Sequence, residues 1–254
     1  MNVLVTGGGT VAPIDDVRVL TNSSSGRFSS AISEACLRRG ATVRHVHTPT
    51  ALLPYQRSAR FDLDLNNAET EHEHARLDAR RREWLSVRDR LRLVSLKRGT
   101  VSEYAKALET ILRDGTVDVA FLAMAVSDYE PLPVAGKIAS GSASLTLRCK
   151  QTPKVIRSVR DWAPSVYLVG FKLLSGAEPD ELIRRAAEAC RTNRADLTLA
   201  NDLSTLRAGR HTVHLVRPGE PAETFGPSPT LADEVVERVF ALAERRGSGG
   251  DSAP

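Results

Sequence analysis

The sequence predicts an α/β fold in which a mostly parallel sheet is flanked by helices. Short apolar segments alternate with amphipathic helical segments along the chain, which is the pattern of such a sheet. The most apolar segment, 117–124, is expected to form a central strand, because strands that are buried on both faces are apolar throughout. Apolar and polar residues alternate over 145–149, which predicts a small antiparallel excursion.

Stop signals set the limits of these elements. Glycines follow the first strand, Gly40 ends the first helix, and Pro164 ends a short helix. The predicted strands cover 3–5, 42–47, 91–96, 117–124, 166–171, 197–200 and 213–216. The predicted helices cover 25–39, 101–112, 155–162, 180–190 and 231–244.

We expect residues 1–246 to form one domain, since a chain of 254 residues can bury one hydrophobic core. Residues 50–90 are polar and irregular at first and then charged and helical, which predicts an insertion or a lid. Residues 217–229 are rich in proline and glycine and predict a connection. Residues 247–254 have the composition of a disordered tail.

Composition limits the class of protein. No apolar run reaches the ~18 to 20 residues that cross a bilayer, and the N-terminus lacks the regions of a signal peptide. Three cysteines without a Cys-x-x-Cys motif indicate reduced thiols, no zinc site and a cytoplasmic location. The net charge of +4 suits an anionic ligand. The densest basic run, 80–82, lies among glutamates and predicts a solvated helix face, so we expect no nucleic-acid partner.

Gly7, Gly8 and Gly9 follow the first strand directly. Glycines allow the backbone to approach a phosphate, so this turn is a candidate phosphate cradle. The spacing also fits a relaxed dinucleotide fingerprint, but Pro13 follows where that fingerprint needs a helix, and no acidic residue ends the second strand. A tight turn without a ligand is the alternative.

A second candidate segment precedes the first helix and contains Asn22, Ser24, Ser25, Gly26 and Arg27. Serine and asparagine cap helices, and a helix N-terminus also attracts anions. Simple capping needs one such residue, so the set favours anion binding over capping alone.

The ends of later strands carry further candidates. Ala125 and Asp128 follow the most apolar strand, where Asp128 could bind a metal, orient a substrate or only form a turn. Lys137 lies in a predicted loop and could reach phosphates or remain solvated. Two later strand ends carry Phe171, Lys172 and Asn201. The aromatic ring and the amide suit a nucleobase, but each of these residues is equally compatible with core packing or a turn.

In this order, the blocks resemble the phosphopantothenoylcysteine synthetase (phosphopantothenate–cysteine ligase) family of coenzyme A biosynthesis. The matching residues are 5–10, 13–15, Val17, Arg18, Asn22, 24–26, 125–129, Lys137, Ile138, Pro153, Lys154, 161–164, Phe171, Lys172 and 200–202. The resemblance covers the chain from residue 3 to about 216. It implies a modified Rossmann-like fold, a homodimer and a stand-alone enzyme. The sequences of its motifs are closer to the eukaryotic type, which favours ATP over CTP.

The resemblance also implies a reaction. A nucleoside triphosphate with Mg²⁺ would activate the carboxylate of 4′-phosphopantothenate as an acyl-nucleotidylate, and the amine of cysteine would then form the amide. By position, Asn22 would stabilise charge during amine attack, Lys137 would neutralise phosphate charge, and Asp128 would position substrate or Mg²⁺. The implied nucleotide-binding residues are Gly7, Gly8, Gly9, Ser24, Ser25, Gly26, Arg27, Ala125, Phe171, Lys172 and Asn201. The metal ligands stay open.

Two other functions compete with the ligase. An NADPH-dependent reductase of the short-chain type would carry Tyr-x-x-x-Lys, but Leu108 follows Tyr104 and Pro133 follows Tyr129 at that spacing. A non-catalytic nucleotide-binding module would bind ATP without turnover and would tolerate loss of Lys137.

Overall fold

The computed structural model describes residues 1–59, 64, 66–141 and 143–249. Its strands are β1 Asn2–Gly7, β2 Val11–Pro13, β3 Val19–Thr21, β4 Thr42–His47, β5 Leu91–Ser95, β6 Val119–Leu122, β7 Tyr129–Pro131, β8 Cys149–Gln151, β9 Tyr167–Leu174, β10 Leu197–Asp202, β11 Val213–Val216 and β12 Glu223–Phe225. Its α-helices are α1 Arg27–Arg38, α2 Asn67–Val87, α3 Val101–Leu112, α4 Val159–Trp162, α5 Pro179–Thr192, α6 Leu203–Arg207 and α7 Leu231–Gly249. Short 3-10 helices cover Gln56–Ser58, Arg88–Arg90 and Val155–Ser158.

The main sheet has eight strands in the order β12-β11-β10-β9-β6-β1-β4-β5. The strands from β10 to β5 pair in parallel, while β11 and β12 add an antiparallel edge. This confirms the predicted α/β class and the inner position of the most apolar strand. Every residue of β6 is buried, which explains its continuous apolar sequence.

Two hydrophobic layers cover the sheet. Val3 and Val5 of β1 contact the layer built with α1 and α7, whereas Leu4 between them contacts the layer built with α3 and α4. Successive side chains of a strand point to opposite faces, so one strand serves both layers.

Two small antiparallel sheets lie outside the main one, β2 with β3 and β7 with β8. The amide of Val134 donates to the carbonyl of Ile14 at 3.0 Å, which joins the chain after β7 to the β2–β3 turn. The predicted antiparallel excursion exists, but its strand begins at Cys149, so the bounds 145–149 are wrong. Pairing and not alternation sets the bounds: β8 pairs with β7 from Cys149, opposite Pro131, and residues 145–148 belong to no described strand.

Two further segments differ from the prediction. The connection 217–229 contains β12, which pairs with β11. Helix α7 continues to Gly249, so 247–249 are helical, and the rest of the predicted tail lies outside the described residues. Helix α2 forms the charged part of segment 50–90 and begins with a capping box between Asn66 and Glu69. In the part of the chain that the structure describes, no helix combines the length and apolarity of a membrane span.

Candidate active site

A cleft of about 1110 Å³ opens where the parallel strands end and α1 begins. Ligands of open α/β sheets bind at the carboxyl ends of the strands, so this is the expected position. Ten of the predicted residues line it: Asn22, Ser24, Ser25, Gly26, Arg27, Ala125, Asp128, Phe171, Lys172 and Asn201. Gly7, Gly8, Gly9 and Lys137 are not part of the lining.

The glycine turn is buried beneath the cleft. A Cβ atom on Gly7 would lie 2.1 Å from Ser29 Oγ, and one on Gly8 would lie 2.1 Å from Thr48 Oγ1. A Cβ atom on Gly9 would lie 2.2 Å from the carbonyl oxygen of Asn22. The three glycines therefore allow α1, the end of β4 and the segment after β3 to approach β1 closely.

The N-terminus of α1 lies open to the cleft. Its N-cap is Gly26, with φ of 72° and no capping side chain, and its first turn contains no acidic residue. The hydroxyl of Ser29 donates back to the carbonyl of Gly26 at 2.8 Å, and that of Ser30 donates to Leu52, so neither accepts from the helix amides. The amide of Arg27 donates to Ser25 Oγ at 3.4 Å, but the N-cap itself supplies no side chain. Because such a helix N-terminus carries partial positive charge, this end of the cleft suits an anion.

Asn22 follows β3 and reaches across to the end of β6. Its Nδ2 donates to the carbonyl of Ala125 at 3.2 Å. The amide of Thr10 donates to the same carbonyl at 3.1 Å, and Gly9 forms a bridge with Ala125. The Asn22 amide thus has a defined position at the cleft wall, although its side chain is exposed.

Asp128 continues the same wall and forms an ion pair with Lys154, which also lines the cleft. The backbone carbonyl of Asp128 accepts from the amide of Thr152 at 3.0 Å. The hydroxyl of Thr152 donates to the carbonyl of Ser127 at 2.5 Å. These bonds join the loop before the Val155–Ser158 helix to the end of β6.

An aromatic group forms another part of the lining. The ring of Phe28 contacts Phe171 edge-on at 6.4 Å and His211 at 4.5 Å between centroids. Burial lowers the pKa of His211, so its imidazole is neutral near pH 7. A neutral aromatic surface of this kind suits a planar base.

The cleft lining is strongly basic. It contains two acidic residues, Asp128 and Glu188, against six basic ones: Arg27, Arg57, Lys154, Arg157, Lys172 and Arg185. The side chains of Arg27 and Lys172 make no hydrogen bond or ion pair with any described residue. Because the whole chain carries only +4, the excess charge is concentrated where a ligand would bind.

Lys137 is exposed on the loop that follows β7. The loop is held by Asp15, which accepts from the amides of Ile138 at 3.0 Å, Val17 at 2.9 Å and Arg18 at 2.7 Å. Burial alone would raise the pKa of Asp15, but these bonds, with that of the Arg18 guanidinium, outweigh it and hold the pKa at about 2. The loop is thus fixed to the β2–β3 turn and not to the cleft of its own chain.

Some lining residues were not predicted. Lys154 belongs to a block that carries the family resemblance, but its role was not recognised. Phe28 follows the predicted candidates directly, and an aromatic residue in a helix is as typical of a core face as of a binding site. Arg57 and His211 had no local signal, since only the folded chain brings the short helix Gln56–Ser58 and the loop after α6 to the cleft.

Comparison with known proteins identifies the family. The model of the DNA/pantothenate metabolism flavoprotein C-terminal domain matches residues 1–78 and 92–242. The coenzyme A biosynthesis bifunctional protein CoaBC of Thermococcus kodakarensis is 33% identical over 215 residues, which cover 84% of this chain and 44% of that protein. Phosphopantothenate–cysteine ligase 2 of Oryza sativa subsp. japonica is 31% identical over 259 residues, 94% of this chain and 78% of that protein.

A solved structure agrees with these relatives. The DNA/pantothenate metabolism flavoprotein from Streptococcus pneumoniae superposes with a TM-score of 0.74 at 25% identity and covers 97% of this chain and 99% of that chain. The resemblance seen in the sequence is confirmed: the chain belongs to the phosphopantothenate–cysteine ligase family and carries the DNA/pantothenate metabolism flavoprotein C-terminal domain.

Proposed function

We propose that this protein joins 4′-phosphopantothenate to L-cysteine through an acyl-nucleotidylate, with a nucleoside triphosphate converted to the monophosphate and pyrophosphate. The observation that carries the proposal is the cleft itself. It combines a basic lining, an uncapped helix N-terminus and a positioned amide at Asn22. The relatives named as phosphopantothenate–cysteine ligases supply the substrates.

In this proposal the two substrates carry several phosphate groups, and the basic side chains offset their charge. Arg27 and Lys172 are available for this, because no described residue neutralises them. Ser24, Ser25 and the first turn of α1 would donate to phosphate oxygens. The aromatic group with Phe171 would contact the base, and Asn201 would bond to its edge. We propose ATP over CTP as the nucleotide, because the motif sequences resemble the eukaryotic type.

Asn22 would act in the second half-reaction. When the cysteine amine attacks the activated carbonyl, negative charge develops on that oxygen. A side-chain amide held in position can donate to it, which lowers the barrier by about 2.7 to 4 kcal/mol. The bond from the carbonyl carbon to the phosphate oxygen then breaks, the nucleoside monophosphate leaves, the amine nitrogen loses a proton, and the amide remains.

Mg²⁺ fits the acidic residue at the cleft wall. Magnesium in nucleotide sites is bound by one or two carboxylates together with substrate phosphates, and Asp128 offers one such carboxylate. When bound, the ion would neutralise phosphate charge during adenylation. Asp128 is also paired with Lys154, which keeps both groups at the wall.

Lys137 suggests a homodimer. Several apolar side chains are exposed on and beside the small sheets, on the same part of the molecule as the Lys137 loop: Val17, Val19, Leu20, Tyr129, Leu132, Val134 and Leu145. An exposed apolar surface of this kind usually marks an interface. We infer that two copies meet there and that Lys137 serves the cleft of the second copy.

Mixed dimers test this assignment. Chains with Lys137→Ala and chains with Asn22→Asp should each be nearly inactive, but a refolded mixture should recover about a quarter of wild-type activity, because one cleft in half of the dimers then has both residues. A mixture no more active than the single variants would contradict the shared site.

The cysteines agree with a cytoplasmic enzyme. Cys36, Cys149 and Cys190 are free thiols, and Cys149 is exposed. Free exposed thiols persist in a reducing compartment. We therefore propose the cytoplasm as its location.

A pyrophosphate-release assay tests the function. Protein, ATP, Mg²⁺, cysteine and 4′-phosphopantothenate should together release pyrophosphate and form phosphopantothenoylcysteine, and CTP should be the poorer substrate. ATP binding without turnover would identify a binding module instead. Tight NADPH binding would favour a reductase.

A further inference from the structure

We propose that Arg57 is an anion-binding residue of the cleft, which contacts a phosphate group of the bound ligands, and that the buried Glu34 positions it. The inference rests on the proposed function for the identity of the ligand. Both residues lie outside the segments that the sequence predicted to bind phosphate. Arg57 comes from segment 50–90, which thereby gains a role at the site.

Glu34 is the anchor of this arrangement. It lies on α1, and only 1% of its side chain is exposed. Its Oε1 accepts from the amide of Tyr55 at 2.7 Å and from Arg57 Nε at 3.1 Å. Its Oε2 accepts from Arg57 Nη2 at 2.9 Å and from Arg80 Nη2 at 2.6 Å. A carboxylate so deeply buried is stable as an ion only with such partners.

The two arginines on Glu34 differ in their charge balance. Arg80 also donates to Glu83 at 2.8 Å, so it has a second acidic partner. Arg57 has Glu34 as its only acidic partner among the described residues. Two guanidinium groups thus share one buried carboxylate. The ion pairs continue from Arg80 through Glu83 to Arg38, whereas among the described residues they end at Arg57.

The two arginines also differ in where they face. Arg57 lines the cleft together with Arg27, Phe28 and Ala31 of α1, whereas Arg80 is not part of the lining. Their side chains are equally exposed, 21% for Arg57 and 22% for Arg80. Glu34 holds the Nε–Nη2 edge of Arg57, and Nη1 makes no hydrogen bond to a described residue.

The backbone that carries Arg57 is joined to the phosphate end of α1. The amide of Leu52 donates to the carbonyl of Ser25 at 2.9 Å, and the amide of Arg57 donates to the carbonyl of Leu53 at 3.0 Å. Segment 52–57 therefore runs from the first turn of α1 to the level of Glu34. A guanidinium that is held on one edge offers the other as a planar fork, which matches the oxygens of a phosphate group.

The phosphate could belong to the nucleotide or to the phosphorylated acid. The shared chemistry is a phosphoryl group, and separate substrate titrations distinguish the sources. A rise in KM confined to ATP would assign Arg57 to the triphosphate. A rise confined to 4′-phosphopantothenate would assign it to the phosphomonoester.

Arg57→Met is the test variant, Arg57→Lys the conservative one, and Arg80→Met the matched control. Calorimetry with inorganic pyrophosphate and with ATP measures binding without turnover. We expect Arg57→Met to raise the Kd of at least one phosphate ligand about tenfold, a loss of one charge-assisted contact. Arg57→Lys should recover part of that affinity, and Arg80→Met should stay within about twofold of wild type.

Both methionine variants remove one partner of the same buried carboxylate, so thermal unfolding should show destabilisation in both. The loss should be at least as large for Arg80→Met, which also loses the pair with Glu83. Glu34→Gln should raise the KM of the same substrate as Arg57→Met does. Its change in kcat should be smaller than its change in KM, since Glu34 acts through the position of Arg57. Equal loss of binding in Arg80→Met and Arg57→Met would overturn the proposal, because the effect would then be structural. So would unchanged Kd and KM values in Arg57→Met. If the wild-type protein binds pyrophosphate and ATP through Arg57 but forms no amide, the proposed ligase function is contradicted and the anion-binding role of Arg57 is supported.

Discussion

The glycine turn 7–9 and the segment 22–27 differ in what they offer a ligand, although both were predicted to hold phosphate. The turn is buried, and a methyl group on any of its glycines would overlap a neighbouring atom. The segment 22–27 lines the cleft and ends in an uncapped helix N-terminus. Small residues after a strand are therefore compatible with two roles, close packing and ligand contact.

The two regions are nonetheless connected. Gly9 forms a bridge with Ala125, and the carbonyl of Asn22 occupies the space that a Cβ atom on Gly9 would need. Asn22 then reaches the carbonyl of Ala125 with its amide. The turn determines where Asn22 lies, and in the proposed mechanism Asn22 contacts the substrate.

The largest effect is expected at Asn22. Asn22→Asp keeps the size of the side chain but replaces its donor with a negative charge. We expect amide formation to fall about 100- to 1000-fold, while pyrophosphate release from ATP and 4′-phosphopantothenate persists. Single-turnover assays of each half-reaction measure this. If both half-reactions are unimpaired in Asn22→Asp, the role of Asn22 is contradicted. A lowered unfolding midpoint of Asn22→Asp would show that Asn22, like the glycines, also contributes to stability.

Gly8→Ala tests the packing role of the turn. The new Cβ atom would lie 2.1 Å from Thr48 Oγ1 and 2.9 Å from Ala51 Cβ, at a residue with φ of 91°. We expect a loss of about 2 to 3 kcal/mol in the free energy of unfolding, from overpacking and backbone strain together. Denaturant unfolding measures it.

Gly40→Ala is the matched control. Gly40 has φ of 82°, but nothing lies within 4 Å of its Cβ position. It should show only the part of the loss that comes from the backbone conformation. If both variants lose the same stability, close packing is not what requires glycine at position 8.

A third effect is a pH dependence of stability beneath the turn, which is small near neutral pH. His45 is fully buried, its Nδ1 is 2.7 Å from Ser33 Oγ, and its Nε2 is 3.3 Å from the Cβ position of Gly7. Burial, with a smaller contribution from His47, lowers the pKa of His45 from 6.5 to about 3. The unfolded chain binds a proton there below pH 6.5 and the folded chain does not. Stability is therefore lost as pH falls from 6.5 towards 3, by at most about 1.4 kcal/mol per pH unit.

His45→Asn removes this titration and keeps a polar group near Ser33. Its free energy of unfolding should depend less on pH between 6.5 and 4 than that of the wild type. His72→Asn on the exposed face of α2 is the control and should follow the wild type. Parallel pH profiles for all three proteins would rule out His45 as the source.

Long elements could be predicted and very short ones could not. Strand β4 and helix α3 have the predicted bounds, since each carries a complete local pattern. The strands β2, β3, β7 and β12 have three residues each, too few for any periodicity. They exist because another part of the chain pairs with them, and that partner is not visible locally.

The sequence by itself determined the α/β class, the order of the main elements, the family and ten of the residues that line the cleft. It could do so because buried strands, amphipathic helices and ordered motifs are local patterns. Only the tertiary structure decided that the glycines pack beneath the site, that Lys137 lies away from it, and that Arg57 and His211 join it. Those outcomes depend on distances between segments far apart in the chain, and such distances follow from packing the whole core.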